Sequence, residues 1–121
     1  MAGAPAKIDL QAKFAKFSDH WAPRIVGRYN DNEIRLAKAK GDFQWHSHAE
    51  TDELFLVVSG TLTIEFCDHT ETLEPGQMII VPKGSRHRPR ALSGEVEMII
   101  IDPADTANTG DHATATRAVE L

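Results

Sequence analysis

From Ile25 to Asp102 the chain is a succession of short β-type runs divided by turn residues, with no helical spacing between them. The runs are Ile25–Tyr29, Ile34–Lys38, Phe43–His48, Glu53–Val58, Thr61–Cys67, Thr70–Leu73, Met78–Val81, Arg86–Ala91 and Val96–Ile101. Between them stand Asn30-Asp31-Asn32, Gly41-Asp42, Ser59-Gly60, Pro75-Gly76, Lys83-Gly84 and Ser93-Gly94, the residue types that turn a chain. Strands this short and closely spaced cannot be joined by crossover helices, so the fold class is all-β, an antiparallel sandwich or barrel. Thr61–Cys67 alternates apolar and polar residues, as a half-solvated strand does. Leu54–Val58, Met78–Val81 and Met98–Ile101 are apolar on both faces. A barrel fills only its inner face, so something must cover the outer one. A helix can cover part, and a second subunit is the expected cover for the rest.

The flanks read differently. Residues 1–24 carry Leu10, Phe14 and Phe17 at helical spacing, with Trp21 continuing the stripe, until Pro23 stops any helix. A short amphipathic helix packed outside a barrel at 25–102 is expected. Residues 103–121 drift to Ala, Thr, Asp and Asn, too little apolar surface to order independently. The net charge of −5 argues against a broad electrostatic grip on nucleic acid or anionic lipid. No apolar run approaches the ~20 residues of a membrane-spanning helix. Residues Met1–Lys7 hold no stretch of signal-peptide length, and Cys67 is the single cysteine, so a cytoplasmic location is expected.

His46 and His48 stand two apart in an expected strand, which turns both side chains to one face. Glu53 opens the next strand and can bring its carboxylate beside them. His87 follows the turn Pro82-Lys83-Gly84. Imidazole and carboxylate together suit Mn, Fe, Co, Ni, Cu or Zn. The residues around these four give the pattern a frame. The stretch Gly41…His46-x-His48-x4-Glu53-x6-Gly60 resembles the first cupin motif, and Gly76-x5-Pro82-x-Gly84-x2-His87 resembles the second.

The resemblance spans about 25–102 and implies a six-to-eight-stranded double-stranded β-helix, the jelly-roll cupin barrel. It also implies one divalent metal ion (Fe, Mn, Ni or Zn) on His46, His48, Glu53 and His87. The string Trp45-His46-Ser47-His48 through Asp52-Glu53-Leu54-Phe55 is most similar to small single-domain bacterial cupins. Asn108-Thr109-Gly110-Asp111 resembles a recurrent ending of that group, which implies that the tail docks. Two departures are visible. Four residues rather than five separate Gly41 from His46, and Ala91 stands where motif two usually closes with Asn. Neither position is a ligand.

Gln44 shares parity with His46 and His48, and Phe55 with Glu53, so both are candidate pocket residues. Arg86, Arg88 and Arg90 alternate against His87 and should point out of the barrel. His20, His69 and His112 lack ligand spacing. Three functions follow. Three histidines and one glutamate leave two positions open on a six-coordinate ion, enough for metal-centred oxygenase, isomerase or lyase chemistry on a small organic molecule. The same site could bind or sense a small molecule without turnover. Four ligands could also saturate a tetrahedral, structural Zn²⁺. No dedicated acid or base stands out beside the ligands, which weighs against proton-transfer chemistry. The expected partners are a small-molecule ligand or substrate and a second copy of the chain.

Overall fold

The computed structural model describes residues 4–121; the first three residues of the 1–24 segment lie outside it. Helix α1 covers Leu10–Phe14. Asp9 caps it, its carboxylate accepting from the Ala12 amide, and a further turn carries the chain to Phe17. The strands are β1 (Arg24–Tyr29), β2 (Asn32–Asp42), β3 (Glu53–Ser59), β4 (Leu62–Phe66), β5 (Thr70–Leu73), β6 (Met78–Val81), β7 (His87–Pro103) and β8 (Val119–Glu120).

Strand β7 organises the barrel. Its C-terminal half pairs antiparallel with both β2 and β3, and its N-terminal half with β4 and the end of β2. A register shift opposite Ala39/Gly41 lets one strand serve both layers. The expected turn at Ser93-Gly94 therefore lies inside a single bent strand. Strand β6 adds to β3, β5 to β4, and β1 with β8 to β2; the sheet does not close on itself.

Between the layers lies a core of Ala37, Ala39, Phe55, Val57, Leu62, Ile64, Leu73, Val81, Ala91, Val96, Met98 and Ile100. A second, smaller cluster forms outside the sheet, where Phe14 and Phe17 pack on Leu36 with Leu10, Val58 and Ile99 around them. The N-terminal segment is thus the outer cover that its apolar stripe predicts, although its α-helical part is only five residues long.

The tail docks. Strand β8 pairs parallel with β1, Ala107 and Thr109 are buried, and the Asn108 side-chain amide donates to the Trp21 carbonyl at 3.2 Å. Its order comes from the barrel beneath it.

Candidate metal centre

The expected strand Phe43–His48 does not form. Only an isolated bridge links His46 to His87, through reciprocal backbone bonds of 3.0 and 2.9 Å. Beyond it the Gly84 amide donates to the His48 carbonyl at 2.7 Å. His46 and His48 still enter the same space, but as a loop rather than by strand alternation. Glu53 starts β3 and His87 starts β7.

All four residues are buried, and one candidate ligand atom from each lies within 4.8 Å of the others. That is close to the about 4.2 Å separating ligands on opposite sides of an ion with ~2.1 Å bonds. The protonation pattern suits a cation. His46 Nδ1 faces the Gln44 carbonyl at 3.0 Å and His87 Nδ1 the Ser85 carbonyl at 2.9 Å, so both must carry their proton on Nδ1 to donate. That leaves Nε2 of each as a lone pair directed inward. His46 Nε2, His48 Nε2, His87 Nε2 and Glu53 Oε1 are buried with no hydrogen-bond partner. Four orphaned polar atoms converging on one point are costly unless a cation satisfies them.

The electrostatics agree. Burial, with the neighbouring imidazoles adding to it, lowers His46 to about 4, so its ring is neutral at neutral pH. Burial pushes the Glu53 carboxyl upward, but the His48 and His87 side chains beside it outweigh that and hold the group ionised. A neutral His46 imidazole and an ionised Glu53 carboxylate are therefore present together.

Beside the ligands opens a cleft of about 410 Å³, counting its mouth to solvent. His46 and Glu53 form part of its wall with Trp21, Phe43, Phe55 and Met98. Trp21 stacks on Phe43 at 4.8 Å and donates from its indole to the Lys40 carbonyl. Only a narrow part of the cleft, about 30 Å³, is free of side chains.

Asp102 is the polar group that the spacing of motifs does not reveal. It is 1% exposed, sits against Glu53, and lines the same cleft. Burial first, then the Glu53 charge, push its carboxyl up to about 9. Arg35, also buried, approaches Asp102 at 3.6 Å while binding Glu33 and the Thr106 carbonyl. Parity offers the signal for it: Asp102 continues the inward series Met98, Ile100.

Phe55 lines the cleft as expected, its ring 6.3 Å from His87. Gln44 does not. Its side chain is exposed, because parity fails where no strand forms, and it contributes its carbonyl to His46 instead. Arg86 and Arg88 lie over the Trp45 ring, and Arg88 and Arg90 pair with Glu65, all outside the barrel.

Comparison with known proteins gives one consistent picture. The family described as Cupin domain matches residues 32–103. The uncharacterised protein YdbB of Bacillus subtilis is 34% identical over 93 residues, 76% of each chain. A cupin-2 domain protein of Shewanella frigidimarina is 45% identical in structural alignment, with a TM-score of 0.78 over 79% of this chain and 93% of its own. Protein NMB1881 of Neisseria meningitidis aligns at 30% identity and a TM-score of 0.74, over 82% of this chain and 100% of its own.

Proposed function

Because the chain belongs to the cupin-domain family, we propose that it binds one divalent metal ion on His46, His48, Glu53 and His87 and uses it on a small organic molecule held in the adjacent cleft. One observation carries this reading: the cleft shares its wall with two of the four ligands, His46 and Glu53. A purely structural site would be sealed on all sides. When bound, the ion supplies Lewis-acid or redox chemistry at its open positions.

The protein's own groups define the occupant. Trp21, Phe43, Phe55, Met98 and Ile100 exclude water and favour a small, flat, mostly apolar body. Asp102 and Arg35 form a polar pole on the same wall and orient it. Asp102 Oδ1 has no partner in the protein, so it is free to bond a hydroxyl or amide of the ligand. Held protonated, Asp102 also supplies the acid that the motifs themselves lack.

An open coordination position is the testable content. The Co²⁺-loaded protein titrated with azide should change its visible spectrum as the anion binds the ion. A four-coordinate spectrum that azide leaves unmoved would reduce the site to a structural one.

We also propose that the chain pairs with a second copy through the outer face of β6 and β3. Met78 and Ile80 are 58% and 59% exposed there, opposite Leu56 and Leu54 in the ladder. Helix α1 covers only the Leu36, Val58 and Ile99 end of that face.

A further inference from the structure

The loop that carries two of the four candidate ligands is the part of the barrel with the least ladder of its own. Between Asp42 and Glu53 its backbone is tied by the Phe43–Pro89 and His46–His87 bonds and the Gly84–His48 contact. Ser47, between the two histidines, meets the C-terminal tail instead. A Cβ built on Gly110 would lie 1.9 Å from the Ser47 carbonyl oxygen and 3.0 Å from its carbonyl carbon. Gly110 is also at φ +77°, a conformation that side-chain-bearing residues rarely adopt. The tail backbone thus rests directly on the ligand loop, at a distance only glycine permits.

The tail segment that does this is built as a rigid piece. The Gly110 amide donates to the Ala107 carbonyl at 3.0 Å, and the Thr109 hydroxyl donates to the Asp111 carbonyl at 2.8 Å. Ala107 and Thr109 are buried. Asn108 reaches the Trp21 carbonyl on one side, and its Oδ1 accepts from the Thr116 amide on the other. At its start, Thr106 gives its carbonyl to Arg35, which approaches Asp102 beside Glu53. One strap therefore touches the His46–His48 loop directly and is linked to the Glu53 side through Arg35 and Asp102.

We propose that residues 106–111 are a positioning strap for the metal centre, with Gly110 against Ser47 fixing the spacing of His46 and His48. The strap replaces the strand ladder that the loop lacks. It touches neither the ion nor a ligand side chain, so it acts through the loop backbone. This inference rests on the metal reading of the four-residue site.

Gly110→Ala tests it, with Gly76→Ala as the matched control. Gly76 has nearly the same backbone angle, φ +84°, but an added Cβ there meets nothing within 4 Å. Both variants carry the same backbone strain; only one pushes on the loop. Zn²⁺ affinity is measured by chelator competition on the full chain, with circular dichroism to show that each variant is folded. The visible spectrum of the Co²⁺ form reports ligand geometry. Gly110→Ala should weaken Zn²⁺ binding about 10-fold or more, the loss typical of groups that orient ligands, and alter the Co²⁺ spectrum. Gly76→Ala should match the parent in both. If Gly110→Ala proves unfolded, Asn108→Ala is measured in its place, since it releases the strap from Trp21 without a clash, and it should shift affinity in the same direction. Equal affinity in Gly110→Ala or its substitute and the parent overturns the strap, as does equal weakening in Gly76→Ala. A parent that binds no Zn²⁺ overturns the metal reading and the strap with it.

Discussion

Each ligand histidine must be neutral to bind a cation, and the surroundings of His46 already make it so. The apo-protein should consequently lose stability in acid. The folded pKa of His46, about 4, lies below its ordinary 6.5, so the unfolded chain takes up the proton first. The folded state is favoured fully above pH ~6.5, loses ground as pH falls from there to about 4, and loses no more from this group below that. The two values differ by an amount equivalent to roughly 3 kcal/mol. Urea unfolding of the apo-protein across this window measures it, and a flat profile would show that His46 is not held neutral by burial. Asp102 gives a second expectation. Asp102→Leu removes the buried polar pole and should abolish ligand-induced shifts at the cleft while leaving the four ligand residues in place. Asp102→Asn, which keeps a hydrogen-bonding group there, should retain part of them.

Helix α1 and the long strand β7 show how much of the element structure the amino-acid order reveals. Phe14 and Phe17 at helical spacing predict an external apolar cover, and they form one over Leu36 and Ile99. Phe14→Ala should cost about 3 kcal/mol, since Phe14 is 2% exposed and its removal leaves a cavity over the sheet. Thermal or urea unfolding measures the loss, and a change below about 0.5 kcal/mol would mean the helix detaches freely. Alternation correctly separates the faces of β7: Met98 and Ile100 point inward and Ile99 outward. It fails at Phe43–His48, where backbone bonds go to loops rather than to a continuous neighbour, and Gln44 is misplaced as a result. Spacing of His46, His48, Glu53 and His87 makes the clustered candidate ligands legible. Asp102 and Arg35 carry no motif, and the Asn108-Thr109-Gly110-Asp111 ending signals that the tail docks without saying where; the pairing of β2 with β7 and the path of the tail bring all three side chains to the cleft.

Strand β6 lies at the sheet edge with the large apolar side chains of Met78 and Ile80 outward. An edge strand with exposed apolar side chains invites another chain. Replacing Met78 and Ile80 together by Lys should convert a dimer to a monomer with the fold intact, read by light scattering and circular dichroism. A parent that runs as a monomer at micromolar concentration would remove the dimer. The net charge of the whole chain, −5, argues against a broad electrostatic grip on a polyanion.

Metal content bears on the whole account. Protein purified without chelator, and the His48→Ala variant prepared alongside it, are analysed by inductively coupled plasma mass spectrometry, with circular dichroism on both. The parent should carry close to one divalent ion per chain. His48→Ala should retain the β spectrum, because the apolar core between the sheets does not include His48, and lose metal severalfold. A folded His48→Ala protein holding as much metal as the parent would contradict the assignment of His46, His48, Glu53 and His87 as the metal centre.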